Sequence, residues 1–547
     1  MKSKFNNRYL NQKKLFFWIT LLLLFIFLIY SLYNLRFFSS VPRPGFKRSW
    51  NIIANIWSFN STNEKLPGIN IWALNAKYFW ITLKGATGGT VIGFLFAIVS
   101  GYWTATNIHK HKVFSVIAKI IVLLIRAFPA IIIILLFKNT FSTFLAIFFL
   151  YFWFTWLWMN RYISDLIEAQ DLRLYWRDIA QGKSKILSFY KNVFLKVKNK
   201  FLMNFLLAYE SNIRWATILG VMGIQGIGFF FGTGEIEIYK NNLGITLFFI
   251  GLFVGLIEFL LFIFNKFLLP APSIKKSNIS DIYSFKYNWR LYVKVCLVLI
   301  LLIISIISFI DLFSGWKVNG SVFKEWFKQI FNADFSYLSK TSIAWDYFIL
   351  FQESFVALSF AVILALLFAF VLSEKLVNNY LSISSKIILI FIKITPVYFW
   401  YLIFGPMMYS ESAITLALMI GSFRSLSKQF TSSINTIDAK KVNFLYVQGW
   451  SKFKIYTNYI IPKIKLSMIS VSIFELEDVL RNSITYSAFA NLGIYRIIQQ
   501  AQEKSEYSKI IPVILPAYIL FIVFELSFWI YKQKDVLRSK IKFLKMS

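Results

Sequence analysis

Residues 16–33 contain no charge, and stretches almost as apolar recur at 79–100, 113–137, 141–159, 244–264, 295–310, 347–372, 387–404 and 510–531. Runs of this length cannot be hidden many times over in one soluble core, and each is about long enough to span a bilayer as a helix. In hydrocarbon every backbone N–H and C=O must be satisfied within the protein, so runs like these are expected to form spanning helices. The composition agrees: 58% of the 547 residues are hydrophobic and 61 are Phe, beyond what a soluble protein buries. The expected fold class is an all-α polytopic membrane protein.

The formal net charge of +34 comes from Lys and Arg that fall mostly between the apolar runs. That is the pattern of cytoplasmic loops under the positive-inside rule, and it forms no continuous basic face of the kind nucleic acid requires. Lys2, Lys4, Arg8, Lys13 and Lys14 precede the first run, and no small-residue cleavage site follows it, so a retained first span with its basic end inside is expected. Residues 36–75, with Pro42, Pro44 and Pro67, read as an external segment lying partly along the membrane surface. Adding charged segments around Glu210 and Glu477 and a run at 413–423 gives about twelve crossings, with both termini cytoplasmic.

The charged segments expose a repeat. Leu207 to Gly228 reads LAYESNIRWATILGVMGIQGIG, with Glu210 and Arg214 four residues apart and glycines at 220, 223, 226 and 228. Glu477, Arg481 and Gly493 stand where Glu210, Arg214 and Gly226 stand, since 477−210, 481−214 and 493−226 all equal 267. Pro129 and Pro396, Gly182 and Gly449, Glu258 and Glu525, and the cations Arg126 and Lys393 keep the same offset. Two parallel homologous halves are therefore expected, 1–264 and 291–547, joined by a cytoplasmic linker at 265–290.

On a helix, Glu210 and Arg214 share a face, as do Glu477 and Arg481. Charges inside a membrane are costly unless they pair or face a polar path. One reading makes them structural pairs. The other has them bordering a translocation path or gate with Arg126, Asn212, Gly223, Gly226, Lys393, Asn482 and Gly493, the cations suiting an anionic solute.

Two hydrophilic regions, 160–200 and 425–465, align as IAQGKSKILSFYKNVFLKVK from Ile179 and YVQGWSKFKIYTNYIIPKIK from Tyr446. Each reads as a short helix, a glycine and a basic amphipathic helix. This resembles the cytoplasmic coupling motif of bacterial ABC importer permeases, which docks into an ATPase subunit. The resemblance implies coupling roles for Gln181, Gly182, Ser184, Gln448, Gly449, Ser451 and Pro462. Leu195 stands in the first copy where Pro462 stands in the second, and neither copy has the family's leading Glu-Ala-Ala. ESNIRWATILG is similar to the signature of the phosphonate-type permeases, and RAFP at 126–129 resembles their arginine-proline element. A fused pair of halves also resembles the two-copy permease of mycoplasma high-affinity uptake systems.

These resemblances imply a transport subunit that is not an enzyme. They imply two copies of a separate ABC ATPase and an external solute-binding lipoprotein. The solute implied is a phosphonate, a phosphate ester or a thiamine-phosphate-like molecule, taken up across the cell membrane. No cofactor is expected on this chain, with ATP acting through the ATPase. Gly182-Lys183-Ser184 echoes the end of a phosphate loop, but Arg177 stands where the earlier glycine is required. One cysteine and two histidines cannot build a metal cage of those residues. The rival reading is an ion-coupled secondary transporter, in which Glu210, Glu258, Glu477 and Glu525 would carry protons or ions.

Overall fold

The computed structural model describes residues 2–39, 43–55, 57–232, 235–263, 289–340 and 342–544. Among these residues the structure is all-helical, and its extended pairing is a single isolated bridge between Phe141 and Val318. The helices in chain order are α1 (Lys2–Asn34), α2 (Arg43–Asn55), α3 (Ile71–Thr104), α4 (Lys112–Ala127), α5 (Ala130–Thr140), α6 (Thr143–Glu168), α7 (Arg173–Ala180), α8 (Lys185–Phe189), α9 (Leu195–Val221), α10 (Ile236–Tyr239) and α11 (Leu243–Ile263). They continue as α12 (Trp289–Ser314), α13 (Gly320–Phe331), α14 (Ile343–Leu372), α15 (Asn379–Ile394), α16 (Val397–Phe404), α17 (Ser410–Asn435), α18 (Ala439–Val447), α19 (Lys452–Ile455), α20 (Ile461–Tyr486), α21 (Gly493–Glu503) and α22 (Ile510–Leu544).

Among the described residues, seven helices are long and apolar enough to cross a membrane, or up to nine if each of two bent pairs is one span. The other three expected crossings correspond to α9, α17 and α20, which are long enough but too polar to meet that criterion. The continuous spans expected at 113–137 and 387–404 are broken instead. α4 and α5 meet at 73°, and α15 and α16 at 85°. Proline is the cause, since Pro129 and Pro396 have no N–H to donate and push the residue before them out of the helical region. Phe128 accordingly sits at φ −64°, ψ 127° and Thr395 at φ −70°, ψ 123°.

Element bounds recur with the spacing of the sequence repeat. For α4 and α15, 379−112 and 394−127 both equal 267, and for α6 and α17, 410−143 and 435−168 do too. Packing divides the chain in another way. One compact unit comprises Met1–Asn55 with Ser336–Gln500, and the second comprises Ile56–Phe335 with Ala501–Ser547. The segments 1–264 and 291–547 thus follow the repeat but not the packing, because α1 and α2 group with α14–α20 while α12 and α13 group with α3–α11. The linker at 265–290 lies almost wholly outside the described residues.

In the unit holding α1, Asn34 Nδ2 donates to Gln352 Oε1 at 2.6 Å, and Phe27 packs edge-on against Phe355 with ring centroids 5.0 Å apart. On α14, Ala361, Ala365 and Ala369 are fully buried in one cluster with Leu426, Phe430 and Ile434 of α17. Their spacing of four lines small side chains along one helical face, which brings the two helices close.

In the other unit glycine replaces alanine as the spacer. A Cβ on Gly89 would stand 2.5 Å from the Phe148 carbonyl oxygen, and one on Gly93 would stand 2.6 Å from that of Phe152. Only glycine allows α3 this near the α6 backbone. α12 completes the layer through the Lys84–Asp311 ion pair and the Phe148–Phe309 ring contact.

Candidate functional site

The charged helices form the pairs that their spacing predicts. Arg214 Nε lies 3.5 Å from Glu210 Oε1 on α9, and Arg481 Nη2 lies 2.8 Å from Glu477 Oε1 on α20. All four side chains are largely buried. Asn212 has a structural role on the same helix: its Nδ2 donates to Thr90 Oγ1 at 2.7 Å and Thr155 Oγ1 at 2.8 Å, tying α9 to α3 and α6. Arg126 is engaged by Glu525 of α22, with Nη2 to Oε2 at 2.5 Å, and Arg161 approaches the same carboxylate at 4.0 Å. These groups border a cavity that also exposes Lys119, Asn160 and Ser164.

Three glycines expected at a gate have local backbone tasks. Gly223 stops α9 at φ +83°, and Lys138 Nζ donates to the neighbouring Met222 carbonyl at 2.7 Å. Gly226 stands beside Thr82, whose Oγ1 accepts from Ile227 N at 2.8 Å. Gly493 opens α21 at φ +50°, close to Asp346. Lys393 and Asn482 are half-buried, and the Lys393 carbonyl accepts from Arg424 Nη1 at 3.3 Å.

Two buried carboxylates were not singled out by the repeat. Glu353 on α14 accepts from Ser483 Oγ at 2.7 Å, and Glu475 on α20 accepts from Ser425 Oγ at 2.8 Å. Both lie inside helical runs, and the rule that marks Glu210 marks them too. The repeat could not find them because the matched residues are Ala86 and Ala208.

The two helix–glycine–helix elements have one backbone design. Behind α7, Gly182 N donates to Ile179 O and Lys183 N to Asp178 O. Behind α18, Gly449 N donates to Tyr446 O and Trp450 N to Leu445 O. Both are the paired bonds of a Schellman stop, which needs a left-handed residue just past the helix. Gly182 and Gly449 supply it at φ +82° and +87°, and no atom lies within 4 Å of where either Cβ would be. Their conformation, and not crowding, demands glycine. A short helix and one π-helical turn follow in each copy, Tyr190–Phe194 and Tyr456–Ile460, before α9 and α20 begin.

Side chains then differ between the copies. In the first, Asp178 accepts from Lys183 Nζ and from Asn192 Nδ2, both at 2.8 Å. Those two bonds, with the charges of Lys183 and Arg177, hold its carboxyl below the usual range. In the second, Ser451 caps α19 by accepting from Lys454 N, and Pro462 stands second in α20, directly after the π-helical turn. Gln181, Gly182, Ser184, Gln448, Gly449, Ser451 and Pro462 are all exposed. So are the apolar residues Ile186, Leu187 and Tyr190 of the first element and Phe444, Tyr446, Val447 and Phe453 of the second.

Comparison with known proteins supplies the context for these elements. The chain is 25% identical over 531 residues, 95% of each chain, to a protein of Mycoplasma genitalium named ABC transport system permease protein p69. It resembles ABC permeases over nearly its whole length. A Mycoplasma pneumoniae protein of the same name is 26% identical over 461 residues, 82% of this chain and 84% of the relative. No protein-family model matches the chain, and no solved structure matches it. Together with the apolar helices, the similarity to ABC permeases points to a multi-pass membrane protein and a transport subunit, not an enzyme.

Proposed function

We propose that the chain is the permease subunit of an ATP-driven, binding-protein-dependent importer, and that its two halves are fused copies of one permease unit. The observation that carries the reading is the pair of matched elements at Gly182 and Gly449. Each stops a short helix with the same glycine-centred turn, exposes apolar residues, and leads through a π-helical turn into a charged helix. An ABC permease implies an ABC ATPase, and these elements are where two ATPase copies would dock. ATP-driven closure of the ATPases would then be transmitted through α9 and α20, rocking the halves between inward-open and outward-open forms.

On this reading the chain lies in the cell membrane with both termini cytoplasmic, and an external lipoprotein delivers the solute. The resemblance to the phosphonate-type signature supports an anionic solute, a phosphonate, phosphate ester or thiamine phosphate. A second reading, ion-coupled transport, is favoured by the buried carboxylates Glu353 and Glu475.

Uptake into liposomes holding the chain with an ATPase and a binding protein encoded beside it separates the two readings. Labelled methylphosphonate, glycerol phosphate and thiamine phosphate serve as probes. Uptake is expected to need ATP and to be lost in Gly182→Arg plus Gly449→Arg. The pair Gly182→Asn plus Gly449→Asn should keep most activity, since asparagine tolerates the left-handed conformation. Thermal unfolding of each variant controls for folding. Uptake driven by an ion gradient without ATPase would refute the importer.

A further inference from the structure

The two docking elements share a backbone and differ in what locks them and what they show. At the position where a Schellman stop favours a contact between its two flanking side chains, the first element has Asp178 with Lys183, a polar pair. The second has Leu445 with Trp450, and both pack against the buried cluster that includes Val442, Ile455 and Tyr456. Lys454 Nζ lies 4.8 Å from the Trp450 ring centroid, covering its outer side. The flanking pair of the second turn thus packs on an apolar core, whereas that of the first is an ion pair between the buried Asp178 and the half-exposed Lys183.

Their outward faces differ in the same sense. The second element presents Phe444 (62% exposed), Tyr446, Val447 (84%) and Phe453, three aromatics and a branched aliphatic. The first presents Leu174, Ile186 (78%), Leu187 and Tyr190, with a single aromatic. Large aromatics on a pre-organised support contribute most to protein–protein affinity, because they bury much area and lose little freedom on docking. Lys440, Lys441, Lys452 and Lys454 are exposed beside the second face in the sequence, as Arg177, Lys183, Lys185 and Lys191 are beside the first. A partner groove with an apolar floor and an acidic rim would complement the second face.

We infer that the second element, centred on Phe444, Val447 and Phe453, is the principal anchor of the ATPase, and that the first is a weaker contact closed by an ion pair. The inference rests on the proposed docking role of both elements. It makes the two ATPase copies inequivalent: one is held through an aromatic knob on a fixed base, and the other engages a turn that an ion pair must keep shut.

The test measures binding of the cognate ATPase to the full-length chain in nanodiscs, comparing Phe444→Ala plus Val447→Ala with Ile186→Ala plus Leu187→Ala. All four residues are exposed, so both variants are expected to unfold at the wild-type temperature, and thermal unfolding checks this. The first pair should weaken binding about tenfold or more, and the second less than about threefold. Equal losses, or a larger loss from the Ile186 and Leu187 pair, overturn the inference while leaving the docking role intact. If neither pair weakens binding of an ATPase that does bind the wild type, docking lies elsewhere, and both the inference and the proposed docking role fall.

Discussion

α9 and α20 carry the same glutamate–arginine pair, yet they are clasped to their neighbours by different chemistry. α9 uses neutral hydrogen bonds: Asn212 reaches Thr90 and Thr155, and the Tyr209 hydroxyl lies 2.6 Å from Thr87 Oγ1. α20 uses carboxylates, with Ser483 donating to Glu353 and Glu475 accepting from Ser425. The positions compensate. Asn212 and Thr90 match Val479 and Ala357, while Ala216 and Ala86 match Ser483 and Glu353, with 479−212, 357−90, 483−216 and 353−86 all equal to 267. For these two clasps, Asn212–Thr90 and Ser483–Glu353, the matched positions in the other unit are apolar, and one clasp stands one helical turn from the other. Polar side chains that hydrogen-bond across spanning helices help hold them together, and the level of such a clasp can move if both partners move together.

The largest difference should come from breaking the charged pairs. Arg214→Leu removes the guanidinium from a Glu210 that is 1% exposed, and Arg481→Leu removes it from a Glu477 that is 6% exposed. Loss of one partner from a buried pair costs about 3–5 kcal/mol, mostly through the charge left behind. The more deeply buried carboxylate should suffer more, so Arg214→Leu is expected to lower the unfolding temperature in detergent further than Arg481→Leu. The reverse order would mean that the tighter geometry at Arg481, and not burial, sets the cost.

A smaller effect tests the clasp itself. Ser483→Ala removes the hydroxyl from the buried Glu353 carboxylate and should cost about 1–3 kcal/mol. Adding Glu353→Ala recreates the Ala86–Ala216 arrangement and should return part of that loss, because deleting both partners leaves nothing polar unsatisfied. Stability measured for the two single variants and the double variant closes the cycle. A double variant less stable than Ser483→Ala alone would show that Glu353 contributes something other than this clasp.

Much of this was legible in the sequence where spacing alone decides the outcome. Apolar run length located the helices, and four-residue spacing paired Glu210 with Arg214 and Glu477 with Arg481. The sharpness of the proline breaks is not legible in the same way. Pro129 and Pro396 were visible as residues, but an apolar run does not reveal that its two parts meet at 73° or 85°. The bonds from Asn212 to Thr90 and Thr155 were not legible, because those partners are distant in sequence and no local pattern connects them. The grouping of α1 with α14, and of α12 with α3, was likewise invisible. An apolar helix can satisfy its own backbone anywhere in the bilayer, so its sequence does not name its neighbour.

The smallest expected effect distinguishes the two glycine-centred turns. Folding lowers the pKa of Asp178, chiefly through its bonds from Lys183 and Asn192. A carboxyl whose pKa is depressed in the folded state adds stability above its unfolded value, near 4, and that contribution fades as pH falls through the folded value. The first turn should therefore loosen at acid pH. Leu445 and Trp450 at the matched positions have nothing to titrate, so the second turn should not follow. Hydrogen exchange at the amides of Gly182 and Lys183, compared with Gly449 and Trp450 between about pH 6 and about pH 3 and corrected for intrinsic rates, reads the difference directly. Asp178→Asn should abolish the acid-induced loosening, because an amide can still accept from Lys183 and Asn192 but does not titrate. Parallel loosening of both turns in wild type would mean that acid acts on the helices they join, and that the ion pair does not set the first turn apart.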